Sequence, residues 1–286
     1  MEYIQILVNG LVLGALYACI AVGFSLVWGV LNVISLLHGT FIVLGGYLTF
    51  FAWHHLGIHP LLALPPVAAV LFALGYAVQW GVINKVVAQP VLTTLTLTFG
   101  LDMILYNVMT VYFSATPRRV TIDTGTLEYA GIYMPVDRLY AMVLAIILTG
   151  LLYFVLRTSK VGRAIVAVRM DREAAALMGV RVNHIYAITF GIGALMAGAA
   201  GAVFAGVFPI TTNMTGVFLG KAFVVCVIGG LGSVPGALVG GLVLGIIESI
   251  AGNVFGPQHA ITVGFILMLF LLLVRPTGLM GIKGYE

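Results

Sequence analysis

Apolar residues fall in long unbroken runs. Stretches near 4–28, 34–53, 61–83, 91–113, 137–156, 185–207 and 258–275 are each long enough to cross about 30 Å of hydrocarbon as a helix. A further apolar region, 217–251, is divided by Gly229-Gly230-Leu231-Gly232-Ser233-Val234-Pro235-Gly236 into two pieces of roughly sixteen residues, two short spans or a broken, re-entrant pair. The pattern predicts an all-α polytopic bundle of about eight to nine spans, one transmembrane domain over residues 1–286. With nine spans the N-terminus lies outside and the C-terminus inside.

Polar residues concentrate between these runs. Residues 157–183 carry six of the thirteen Lys and Arg residues, which marks this loop as cytoplasmic by the positive-inside bias. Lys85 and the 275–283 tail then face the same side. The external stretch 114–136 sets Arg118 and Arg119 against Asp123 and Glu128 and shows no positive bias. Inside the island, Asp171-Arg172-Glu173-Ala174-Ala175-Ala176-Leu177-Met178-Gly179 reads as a short helix. Asp171 caps its first free amides and Gly179 supplies a left-handed exit.

Composition narrows the class. The chain is 62% hydrophobic and 8% charged, far from the roughly 25% charge of soluble domains. The start, MEYIQILVNG, lacks a basic leader and a small-residue cleavage site, so the first run is expected to be retained as a span. The net charge of +4 comes mainly from the central island and reports topology and inner-leaflet contact rather than a nucleic-acid surface. Cys19 and Cys226 lie in apolar runs and imply no disulfide framework. No HExxH or GxSxG motif is present, which leaves an enzyme reading without a metal or nucleophile set.

Thirty-six glycines suggest how the helices meet. Gly193, Ala197, Gly201 and Ala205 form one small-residue ridge, and Gly232, Gly236 and Gly240 another; each reads as close packing or as a sliding interface. Gly29–Gly46 and Gly229–Gly245 are interrupted apolar segments in opposite halves of the chain, a pairing that points to a pathway near the midplane. Asn32, Ser35, His38 and Gly39 lie in the first, Gly232 and Pro235 in the second. His38 reads as a structural hydrogen-bonding residue or as a neutral imidazole bracing the pathway. Thr94, Thr98, Asp102 and Tyr106 recur every fourth residue, so they share a stripe that should face the bundle interior or a water path. Asp102 is costly at the centre of a span and needs compensation, as pathway lining or as a buried pair. Lys221 and Glu248, near segment ends, are expected to be without a role, Lys221 snorkelling to the interface.

GVFLGKA at 216–222 lacks the glycine spacing and the following Ser or Thr of a phosphate loop, so no nucleotide site is expected on this chain. Glu173-Ala174-Ala175, followed by three residues and then Gly179, resembles the EAA loop of ABC importer permeases. The whole chain resembles the branched-chain amino acid permease family. The matching stretches are NGLVLGALYACIAVGFSLVWGVLNVISLLHG (9–39), SKVGRAIVAVRMDREAAALMGV (159–180), GKAFVVCVIGGLGSVPGALVGGLVLGIIES (220–249) and RPTGLMG (275–281).

That resemblance implies the first of two homologous permease subunits of a heteromeric, ATP-driven importer in a bacterial inner membrane. Its partners would be the second permease, two ABC ATPases and a periplasmic or lipid-anchored substrate-binding protein. The chain itself would bind no cofactor, with ATP and Mg²⁺ on the ATPases. Family members move leucine, isoleucine and valine; relatives carry urea, short amides or aromatic acids. Asp171, Arg172, Glu173, Ala174, Ala175 and Gly179 correspond to the coupling helix, with Arg163 and Arg169 beside it facing acidic groups of an ATPase or phospholipid. An ATP-independent transporter or channel is the rival reading. Three departures stand out: Ser35-Leu36-Leu37-His38-Gly39-Thr40 lacks the aromatic and the acid usual near the first break, Asp102 replaces a small or hydroxyl residue, and the EAA loop lacks its usual Leu-Pro.

Overall fold

The computed structural model describes residues 2–87, 89–120, 125–129, 132–275 and 277–281; for Glu2, 127–129 and 132–134 only the backbone is described. Asp123, Pro276 and Lys283 lie outside these residues. Eleven α-helices follow one another among them: α1 (Glu2–Leu31), α2 (Leu37–Leu56), α3 (Pro60–Gly81), α4 (Val91–Phe113), α5 (Val136–Thr158), α6 (Lys160–Met170), α7 (Arg172–Leu177), α8 (Val182–Val207), α9 (Thr215–Gly229), α10 (Val234–Val254) and α11 (Pro257–Val274). A small antiparallel hairpin, β1 (Thr126–Tyr129) and β2 (Ile132–Pro135), precedes α5. It belongs to the 114–136 stretch, where polar and turn residues replace the apolar periodicity.

Eight of these elements are long and apolar enough to span a membrane. Helix α2, expected as a span at 34–53, is not one of them, and the count falls at the lower end of the eight to nine expected. Its 20 residues include His38, Thr40, His54 and His55, which lower its mean hydropathy, and its apolar middle is buried in protein. Two helices form the centre: the apolar stretches of α1 and α8 are 89% and 78% buried, against 11% for α4 and 6% for α11. Lipid-facing positions on α4 and α11 therefore remain apolar and exposed, as at Ile104 and Leu273.

Small residues set the helix spacing. A β-carbon on Gly14 would fall 2.7 Å from the Leu242 Cα, and one on Gly241 2.7 Å from the Ala18 Cα, so α1 and α10 touch backbone to backbone. The predicted ridge on α8 is used in the same way, Gly193 against α1 and Gly201 against the Ile42 carbonyl of α2. Of the second ridge, Gly240 and Gly236 meet α9, and Gly232 meets Gly29 at the end of α1.

The island holds more helix than the sequence suggested. Ser159 accepts from Gly162 N at 2.8 Å and starts α6, whose Ile165 and Val168 turn inward. Asp171 then breaks the helix with extended backbone and caps α7, accepting from Glu173 N at 2.8 Å and Ala174 N at 3.0 Å. Gly179, at φ 85°, ends α7 in the left-handed conformation, with Val180 N donating to the Ala175 carbonyl.

Candidate functional site

Three discontinuities converge at the end of the bundle that carries the basic island. The first is the irregular segment 32–36 between α1 and α2, entered through Asn32 at φ 52°. The second is the turn 230–233 between α9 and α10, where Gly230 and Gly232 take φ 105° and 77°. The third is the α6–α7 elbow at Asp171. Gly29 and Gly232 meet so closely that a β-carbon on either would fall within 3 Å of the other's Cα, and the Arg169 guanidinium lies 3.5 Å from the β-carbon position of Gly232. Residues 277–281 fold onto the same turn, with Leu279 N and Met280 N donating to the Ile228 and Gly229 carbonyls.

A cavity of 310 Å³ occupies this junction, lined by Asn32, Gln89, Thr94, Arg169, Asp171 and Arg172 among others. It joins residues predicted for the pathway (Asn32, Thr94) to residues predicted for coupling (Arg169, Asp171, Arg172). Arg163 stands apart, exposed in the first turn of α6 and donating to the Thr158 carbonyl at 3.3 Å. Pro235 is exposed in the first turn of α10, a position that suits its fixed φ, while Ser233 caps that helix.

Of the two breaks predicted near the midplane, the second needs correction. The 230–233 turn meets α1 two residues from its last, at the island end. The 32–36 segment starts there and climbs inward: His38 Nε2 donates at 2.8 Å to the carbonyl of Ile20, eleven residues back from Leu31, or about 16 Å along the helix. Helix α2 therefore begins inside the bilayer. Irregular backbone at that depth must be covered, and α4 covers it. Thr98 donates to the Ile34 carbonyl at 3.0 Å, Thr40 donates to Asp102, and Tyr106 donates to Asn213 at 2.9 Å. The fourfold stripe thus faces inward as predicted, zipping α4 to the irregular segment and to α2, and Asp102 is paired. Ser35, His38 and Gly39 are buried behind it, Gly39 directly against the Thr215 carbonyl of α9.

Helix α7 projects from the junction. Ala175 faces the protein, whereas Arg172, Glu173, Ala174 and Gly179 are exposed. So are three apolar side chains, Met170 (81%), Leu177 (89%) and Met178 (85%).

Sequence reasoning missed one constellation. Lys221 does not snorkel: its Nζ donates to both carboxylate oxygens of Glu248 at 3.0 and 2.7 Å and to the Tyr17 hydroxyl, which in turn donates to Glu248 Oε2 at 2.7 Å. All three are buried, linking α9, α10 and α1 inside the membrane. Arg119 pairs with Asp137 at 3.1 Å, while the Arg118 guanidinium lies over the Phe50 and Phe51 rings. Among the described residues no group of three or more His, Cys, Asp or Glu is arranged to hold a metal ion.

Comparison with known proteins decides what this arrangement belongs to. Residues 6–274 match the family described as branched-chain amino acid transport system / permease component. The chain belongs to that family. It is 33% identical to the high-affinity branched-chain amino acid transport system permease protein BraD of Pseudomonas aeruginosa, over 98% of this chain and 96% of that one. It is 31% identical to the LivH permease protein of the same-named system in Escherichia coli, with the same coverage. The LivM permease protein of that E. coli system is 26% identical over 93% of this chain and 68% of its own length. No solved structure matches the chain.

Proposed function

We propose that this permease is the membrane-spanning subunit of an ATP-driven importer of branched-chain amino acids in a bacterial inner membrane, paired with a second, homologous permease. ATP would be hydrolysed on separate subunits, and a binding protein outside would deliver the solute. The greater identity to BraD and LivH than to LivM supports the first position in such a pair.

The observation that carries the reading is the geometry of α7. A six-residue helix, capped at both ends, offers Leu177 and Met178 outward while its base is built into the cavity that holds Asn32 and Thr94. Exposed apolar side chains beside charge suit a groove on a partner. A displacement of α7 reaches the 32–36 segment through Asp171 and Arg169, and from there α4 through Thr98 and Asp102. Tight glycine contacts transmit such a movement rather than absorb it, because packed cores shift between discrete arrangements.

The test is uptake into proteoliposomes that contain this chain, the second permease and the ATPases, with the binding protein supplied outside. Leucine accumulation that requires ATP and stops with vanadate supports the reading. Equal accumulation by this chain alone without ATP refutes it.

A further inference from the structure

A second cavity opens at the other end of the bundle. It measures 280 Å³ and lies between α1, α5, α10 and α11, with Asn9, Leu13, Arg138, Phe208, Glu248 and Ala260 in its wall. That volume sits at the small end of the about 300–1,000 Å³ typical of ligand sites, so it fits a small solute.

Its inner wall reaches the buried Lys221–Glu248–Tyr17 network. Ionisable residues placed this deep in a membrane are costly, and an apolar set would hold three helices together at lower cost. The network's hydrogen bonding is uneven. Among the described residues, Glu248 Oε2 accepts from both Lys221 and Tyr17, whereas Oε1 accepts from Lys221 alone. On the Oε1 side α11 presents Gly264, where a β-carbon would stand 3.3 Å from that oxygen. Ala260, one turn away on the same helix face, lines the cavity. Gly264 is buried against Oε1, and Glu248 itself forms part of the chamber wall. Arg138 supplies the opposite charge from the first turn of α5, its guanidinium 5.7 Å from the centre of the Phe208 ring. A guanidinium held over an aromatic face keeps its in-plane donors for a carboxylate.

We infer that this chamber binds a small zwitterion with an apolar side chain, Arg138 taking the carboxylate and Glu248 the ammonium group. The inference rests on the importer reading above and deepens it by locating the solute's first contact within the membrane, on the side away from α7. The charges explain why both ends of the ligand are needed. An amine alone gathers three cations, with Lys221 and Arg138, around one carboxylate. An acid alone leaves Glu248 unengaged.

The detergent-solubilised full-length chain is to be unfolded thermally against L-leucine, 4-methylpentanoate and 3-methylbutylamine. Leucine should raise the midpoint saturably through binding to the folded state, and the two single-charge analogues should bind more weakly on the order of tenfold or more. Gly252→Leu fills the chamber; a β-carbon there meets only Ala260, at 3.8 Å, so the variant is expected to fold. It should keep the unliganded midpoint and lose the leucine response, and Arg138→Gln should weaken that response. Equal responses to all three compounds, or an undiminished leucine response in both variants, overturn the site. Uptake separates the two readings: ATP-driven uptake with unchanged KM in Gly252→Leu removes the chamber and leaves the importer. A leucine response without ATP-driven uptake leaves the chamber and removes the importer.

Discussion

Replacing Lys221 with Met isolates the worth of the buried ion pair. Methionine nearly matches the lysine stem in volume, so the change removes charge and three donated hydrogen bonds while opening little space. Glu248, only 6% exposed, would keep the Tyr17 hydroxyl at 2.7 Å as its partner. Breaking a buried pair from one side costs about 3–5 kcal/mol, because the remaining charge is left without compensation. At about 2–4 °C per kcal/mol, this predicts a fall in the unfolding midpoint on the order of 6–20 °C. The double variant Lys221→Met/Glu248→Gln removes both charges and keeps an acceptor for Tyr17, so most of the loss should return. Thermal unfolding of the purified chain in detergent reads both values. A single-variant shift below about 2 °C, the size expected of an exposed pair, with no gain in the double variant, would refute the claim that this network ties α1, α9 and α10 together.

Other perturbations follow from the same geometry. Asp171→Ala removes both accepted bonds at the start of α7, costing about 1 kcal/mol in a helix with few other contacts; leucine-stimulated ATP hydrolysis should fall while membrane insertion holds, and Asp171→Asn should retain activity. Gly45→Ala places a methyl group on the Gly198 backbone and should cost about 1–3 kcal/mol as overpacking. Gly100→Ala, with nothing within 4 Å, should be silent in the same assay of folded yield. Asp102→Asn keeps an acceptor for Thr40 and should preserve uptake, whereas Asp102→Leu releases α4 from α2 and should lower it.

The apolar runs made most of the fold legible, since run length alone separates spans from connections. The breaks were legible too, because Gly229-Gly230 and the Asn32–Ser35 stretch interrupt continuous hydropathy. Their depth was not, because it depends on where a neighbour lies: only the Ile20 carbonyl beside His38 shows that α2 starts within the bilayer. Asp171 and Gly179 declared the ends of α7 through cap chemistry, a local signal. The Lys221–Glu248–Tyr17 network gave no such signal. Its members lie on three helices, 27 to 231 residues apart, and whether a lysine near a segment end snorkels or turns inward is set by helix rotation. The inward face of the α4 stripe was readable from its spacing, but Thr40 as the partner of Asp102 was not, because the pairing depends on how α2 sits against α4.

Cross-linking tests most directly whether force enters the bundle through α7. Both native cysteines, Cys19 and Cys226, are buried, so Leu177→Cys provides a selectively reactive thiol on the outward face of the helix. In native membranes a bifunctional reagent at that position should capture a subunit that azido-ATP photolabels, with a yield that changes when ATP is added. Capture of lipid alone, with no ATP-labelled protein in any nucleotide state, would contradict it.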